Sequence, residues 1–236
     1  FLFFRAGYIQ TVFSLYKEAK EVIADSSIDD FRNYQSGEVY GADGELIALL
    51  RNDRNITYLT SDEIPQQVKD AFVSIEDKCF YKHGGFDPFA IVRASLSLIS
   101  KNSISQGGST ITQQLARNIY LTHTVRWERK VEEIFIAIAL ENKYSKDEIL
   151  EFYINNIYYA NGYYGIQAAS RGYFSKDADE LTLSETAFLC AIPNSPSLYD
   201  PLTNGENTLK RRDLILENMY KDGKISQEEY EEALAE

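Results

Sequence analysis

Trp127-Glu128-Arg129-Lys130-Val131-Glu132-Glu133-Ile134-Phe135-Ile136-Ala137-Ile138-Ala139-Leu140 changes character after its first turn. At about 100° per residue, Arg129, Lys130 and Glu133 share one arc, opposite Val131, Ile134, Phe135 and Ile138. Beyond that turn Ile136, Ala137, Ala139 and Leu140 make every side apolar. The pattern predicts a helix with an enclosed body and a polar start at the rim of a buried site. The plain alternative for the charged trio is a solvated i,i+4 ion pair, worth only ~0.5 kcal/mol.

Working outward, helical periodicity continues in both directions. Upstream, polar residues 101–106 lead through Gly107-Gly108-Ser109-Thr110 into an apolar run from Ile111, which reads as a loop entering a helix. Thr110 with Gln113 makes a capping-box pattern, and a helix start preceded by glycines can seat a phosphate, although most such boxes only cap. Earlier still, Pro65 suits a first helical position, and Val68, Ala71, Phe72, Ile75 and Cys79 fall on one stripe. Glu76 lies at the edge of that stripe and Asp77 on the opposite side, so Glu76 is the acid expected to be partly desolvated. A carboxyl kept from water is suited to general-base work, whereas a solvated helix-end acid is the ordinary outcome.

Downstream, Lys146 to Tyr164 is rich in Tyr and Asn, and its tyrosines read mostly as core. Ile166 to Ser170 resumes as a helix, and Ser184 to Ile192 is a buried helix stopped by Pro193 and Pro196. Lys210-Arg211-Arg212 precedes a last amphipathic pair of helices and reads as a solvated basic turn. Only Glu38 to Tyr40 and Glu45 to Leu50, around Gly41-Ala42-Asp43-Gly44, read as strands of a hairpin. The fold class is therefore mainly α.

The chain has 236 residues, 44% hydrophobic and 25% charged, enough for a folded core. A net charge of −12 without a basic run argues against nucleic acid as partner. Cys79 and Cys190 have no zinc or redox spacing, and with His83 and His123 they are too few for a metal centre, so no metal site is expected. Two unpaired, mostly buried thiols are the favoured reading, against a disulfide. Phe1 to Phe4 cannot span a bilayer, which needs ~20 residues, but with Ala6, Tyr8, Ile9, Val12, Phe13 and Tyr16 they fit either the end of a spanning helix or an amphipathic helix. The missing methionine at the start suggests an excised or processed piece.

Five stretches together resemble the peptidoglycan glycosyltransferases, found in class A penicillin-binding proteins and in monofunctional transglycosylases. They are Glu76 to Gly85, Gly107 to Gln114, Arg129 to Glu133, Lys146 to Asn155, and Arg211 to Leu216, in that order and within about residues 58 to 220. Two positions depart from the family pattern. Arg117 stands where a Lys is common, and Thr124-Val125 stands where Glu-Arg often precedes the third motif, with Arg126 one place later.

The resemblance implies a lysozyme-like helical head with a small membrane-associated jaw near residues 86 to 106. It divides the chain into a membrane-proximal helix at 1–25, a linker and hairpin at 26–60, and the glycosyltransferase domain at 61–236. It implies that lipid II and the growing glycan strand are substrates, at the extracytoplasmic face of the bacterial cytoplasmic membrane, with inversion at the donor carbon. Glu76 would be the base and Glu133 the second acid. Asp77, Phe80, His83, Ser109, Thr110, Gln113, Gln114, Arg117, Asn118, Arg129 and Lys130 would bind substrate. No cofactor is required, and a divalent cation, Mg2+ or Mn2+, is compatible with the pyrophosphate. Gln227 to Glu236 looks like the start of a connection to a C-terminal transpeptidase domain. A lysozyme-like hydrolase or lytic transglycosylase, or an inactive lipid-binding module, are the rival readings.

Overall fold

In the computed structural model, which describes residues 2–32, 37–40, 46–50, 57–89, 108–121 and 127–236, helices dominate. In chain order they are α1 (Leu2–Asp25), α2 (Ile28–Arg32), α3 (Gln66–Glu76), α4 (Ile111–Tyr120), α5 (Trp127–Lys143), α6 (Lys146–Asn156), α7 (Ile166–Phe174), α8 (Leu183–Ala191), α9 (Gly205–Lys221) and α10 (Gln227–Ala235). Two strands, β1 (Gly37–Tyr40) and β2 (Leu46–Leu50), pair antiparallel with Gly37 opposite Leu50 and a register shift between Val39 and Tyr40. Residues 41–45, most of the expected jaw (90–106), Gly107, His123 and Thr124 to Arg126 lie outside the described residues.

The chain divides into two compact units, Phe1–Asp30 with Cys79–Tyr153, and Phe31–Lys78 with Ile154–Glu236. In the first, α5 is packed by both α1 and α4, which explains why it is apolar all round. Towards α1, Phe135 meets Tyr16 edge-on with ring centroids 5.5 Å apart. Towards α4, Glu141 Oε1 accepts a 2.6 Å hydrogen bond from Thr112 Oγ1. The last carbonyls of α1 are capped from α5: Lys143 Nζ donates to Ile23 O at 2.8 Å, to Ala24 O at 2.9 Å and to Ser26 O. A cation there satisfies orphan acceptors and complements the helix dipole. Along α1, Ala19 and Ile23 are buried while Ile9 and Phe13 stay exposed. Among the described residues no helix is long and apolar enough to cross a membrane.

In the second unit α3 packs on α8 and α9, and Val68, Ala71, Phe72 and Ile75 fill the seam without exposure. Cys79 does not share that stripe, because α3 stops at Glu76 and Cys79 precedes a 3-10 turn at Phe80–Lys82. Both cysteines are free. Helices α4, α8 and α10 each begin with a complete capping box, at Thr110/Gln113, Thr182/Glu185 and Ser226/Glu229.

Candidate functional site

Glu76 is the last residue of α3, and its carboxylate is buried. Oε1 accepts from Arg211 Nη2 at 2.8 Å and from Asn194 Nδ2 at 3.3 Å, both within the second unit. Arg211 is itself 8% exposed, and its guanidinium lies 5.1 Å from the centre of the Tyr199 ring. Behind the acid, burial pushes the Cys190 thiol well above its ordinary value, and the negative Glu76 adds to the rise. Asp77 corrects the helical projection. It caps α3 at φ −156°, ψ 76°, its N–H donating to Val73 O, so the 100° step no longer applies and Asp77 is buried as deeply as Glu76.

Lys210-Arg211-Arg212 is likewise not a solvated turn. Arg211 and Arg212 lie inside α9 and are buried on the face that carries Thr208, Ile215 and Met219. Arg212 Nη1 donates to Ser184 Oγ at 3.0 Å and its Nη2 pairs with Asp213 at 2.8 Å. A signal was available: Thr208, Arg211, Ile215 and Met219 recur at helical core spacing, and a cation on a core stripe demands a buried partner. Asn194 and Tyr199, in the segment between α8 and α9, carried no such signal.

The second acid lies in the first unit. Glu133 is 1% exposed; Lys130 Nζ donates to Oε1, and Arg129 Nη1 stands 3.8 Å from Oε2. Lys130 Nζ also donates to Ser109 Oγ at 2.9 Å, which ties the start of α4 to this cluster. At that start Thr110 Oγ1 accepts from Gln113 N at 3.1 Å, and Gln113 Oε1 accepts from Thr110 N at 2.9 Å. Three buried polar atoms here, Gln113 Nε2, Arg129 Nε and Glu133 Oε2, have no hydrogen-bond partner among the described residues. Buried donors and acceptors are nearly always satisfied, so such a cluster fits a site completed by a ligand.

A backbone contact sets this arrangement. Gly85 has φ +91°, and a Cβ there would sit 2.6 Å from the Ala137 carbonyl of α5. Its own carbonyl accepts from Thr110 Oγ1 at 2.8 Å. The glycine thus presses the loop after the 3-10 turn onto α5 while holding the cap of α4.

The remaining candidates have other surroundings. Phe80 is fully buried under Lys146 Nζ, 4.4 Å from its ring centre. His83 Nδ1 accepts from Gly85 N at 3.1 Å, so the 3.8 Å approach of that nitrogen to Glu141 is not a hydrogen bond. Gln114 Oε1 accepts from Tyr153 OH at 3.1 Å. Arg117 is half-buried and Asn118 exposed on α4.

Residues 43–220 match the family described as Transglycosylase. The chain belongs to the transglycosylase family. It is 41% identical over 232 residues to Penicillin-binding protein 4 of Bacillus subtilis, covering 95% of this chain and 37% of that protein. Over 200 residues it is 44% identical to Penicillin-binding protein 1A of Aquifex aeolicus, with 85% and 27% covered. Over 227 residues it is 39% identical to Penicillin-binding protein 1A of Escherichia coli, with 96% and 27% covered. The transglycosylase chain thus spans 27% to 37% of the length of these relatives. It is a peptidoglycan glycosyltransferase domain of the kind carried by class A penicillin-binding proteins.

Proposed function

We propose that this transglycosylase domain polymerises lipid II. The growing glycan on its lipid pyrophosphate is the donor, and the 4-hydroxyl of the acceptor sugar attacks its anomeric carbon with inversion. Glu76 takes the hydroxyl proton, and lipid pyrophosphate departs with the electrons of the broken bond. An activated leaving group removes the need for a protein nucleophile. Residues 61–236 form the catalytic domain, with a jaw near 86–106 against the membrane, and the lysozyme-like description of the head belongs to the same reading. The domain works at the extracytoplasmic face of the cytoplasmic membrane, and a transpeptidase domain following it in the full protein accords with the longer relatives. No cofactor is required, and Mg2+ or Mn2+ at the pyrophosphate is compatible with the chemistry.

The observation that carries this reading is the Glu133 cluster. Arg129 and Lys130 both flank Glu133, and Lys130 reaches the start of α4 at Ser109, beside unsatisfied donors on Gln113 and Arg129. Cations, helix-start amides and spare donors suit a pyrophosphate better than a neutral sugar. Glu133 holds both cations in place, which prepares the stabilisation of the leaving charge.

A lipid II polymerisation assay tests the proposal. Glycan growth is expected, and Glu76→Gln, which keeps the shape of the side chain, is expected to lower turnover by ~10²-fold or more while lipid binding is retained. Glycan cleavage instead of growth, binding without turnover, or near-normal growth by the variant would overturn it.

A further inference from the structure

Resting on the reading of Glu76 as base, we infer that Arg211, oriented by the ring of Tyr199, is the positioning residue for that carboxylate. Three observations in the second unit converge. Arg211 Nη2 and Asn194 Nδ2 both donate to the same oxygen of Glu76, at 2.8 Å and 3.3 Å, so one edge of the carboxylate is held from two sides. The ion pair is buried at both partners. The guanidinium also lies over the Tyr199 ring, 5.1 Å from its centre, and its buried Nε has no hydrogen-bond partner among the described residues.

That unused Nε argues against an ordinary structural arginine. A guanidinium kept only for packing would be expected to satisfy its donors, as the neighbouring Arg212 does more nearly through Ser184 and Asp213. Arg211 instead presents one nitrogen to Glu76 while its guanidinium carbon lies over the Tyr199 ring, so the ring restricts the positions from which the fork can meet the acid. Cys190 of α8 stands near Glu76 as a neutral thiol, and described cations on or near α3 are engaged elsewhere, Lys69 with Ser61 O at 2.7 Å, Lys224 with Asp70 at 2.7 Å and Lys78 with Asp222 at 3.0 Å. Glu76 ends its helix, where the backbone no longer restrains it on the C-terminal side, so an external anchor is what keeps a base aimed.

A double-mutant cycle on polymerisation of lipid II by this chain tests the assignment, with thermal unfolding of every variant. Arg211→Met is expected to lower kcat ~30-fold and to leave KM for lipid II within ~3-fold, because a positioning role acts through Glu76 and not through substrate binding. Arg211→Lys keeps the charge without the flat fork and is expected to recover part of the loss. Tyr199→Leu leaves the ion pair intact but removes the platform, and is expected to lower kcat ~5-fold. In a Glu76→Gln background, Arg211→Met should cost less than 2-fold further, since the group it positions is gone. Arg212→Lys serves as the control for a structural role, with lowered unfolding temperature and a kcat loss that stays additive with Glu76→Gln.

Losses at Arg211 that remain fully additive with Glu76→Gln, or kcat within 3-fold of the parent in both Arg211→Met and Tyr199→Leu, overturn the inference. If Arg211→Met does not fold, Tyr199→Leu and Arg211→Lys carry the same cycle and decide it by the same criterion. A parent that does not elongate lipid II, or a Glu76→Gln variant with normal turnover, refutes the underlying reading of the base instead. The two failures are therefore distinguishable.

Discussion

Glu132 and Glu133 are neighbours in the chain with opposite environments. Glu133 is enclosed with Lys130 and Arg129, whereas Glu132 is half-buried, and burial, followed by the nearby charge of Glu18, raises its carboxyl above the ordinary 4.5. Turnover in lipid II polymerisation is expected to fall ~10-fold or more in Glu133→Gln and to stay within ~3-fold of the parent in Glu132→Gln. Equal losses would show that the cluster does not act on the leaving group. Stability separates the two residues in another way. A raised folded value means that Glu132 binds its proton more tightly in the native chain, so its contribution is present below about pH 4.5 and is lost as pH rises through the raised value. Glu132→Gln is therefore expected to unfold at a temperature equal to or above the parent at neutral pH, and to lose that advantage in acid. A variant less stable than the parent at neutral pH would contradict the environment assigned to Glu132.

Among the elements, the loop that follows the 3-10 turn at Phe80–Lys82 depends on one glycine rather than two. Gly84 has open space where a Cβ would stand, while Gly85 combines φ +91° with a Cβ position 2.6 Å from the α5 backbone. Gly84→Ala is expected to be nearly neutral in thermal unfolding. Gly85→Ala is expected to cost about 2 kcal/mol or more, since left-handed strain adds to a clash that only backbone movement relieves. The same substitution would displace Thr110, and polymerisation should fall with stability. Near-equal unfolding of the two variants would show that the contact with α5 is not tight. Helix starts offer a smaller and independent test: Thr182→Ala removes the acceptor for Glu185 N at the head of α8 and is expected to cost ~1 kcal/mol.

For the whole molecule, charge and apolar exposure make opposite demands on a lipid surface. The net charge of −12 repels anionic headgroups, yet Phe13 on α1 and Phe89, in the segment expected to form the jaw, are 71% and 72% exposed. Large apolar side chains left open on a charged protein suit insertion into an apolar boundary. The chain is expected to float with zwitterionic vesicles, and 1 M salt should not release it, because ionic screening acts on charge and not on apolar burial. Phe13→Asp combined with Phe89→Asp should reduce flotation several-fold. Release by salt, or flotation unchanged in that variant, would remove the apolar basis for membrane attachment.

The end of α3 and the start of α9 were not legible in the sequence, whereas the starts of α4 and α5, the apolar body of α5, the capping box at Thr110 and the pairing of Glu133 with Arg129 and Lys130 were. Each depends on residues within one or two turns of one another, where a 3.6-residue period converts spacing directly into neighbourhood. The same arithmetic failed one residue past a helix end: Asp77 was expected to be more solvated than Glu76 but is buried as deeply, where the backbone leaves the helical path. It failed entirely for Arg211, which meets Glu76 across 135 residues of chain. A buried ion pair requires two helices to bring charged ends together, and no local period records which cation a distant carboxylate will find. The sequence determined what kind of fold and which acids this protein has; only the packing of α3 against α8, α9 and the segment between them decided that Arg211 and Asn194 stand beside Glu76.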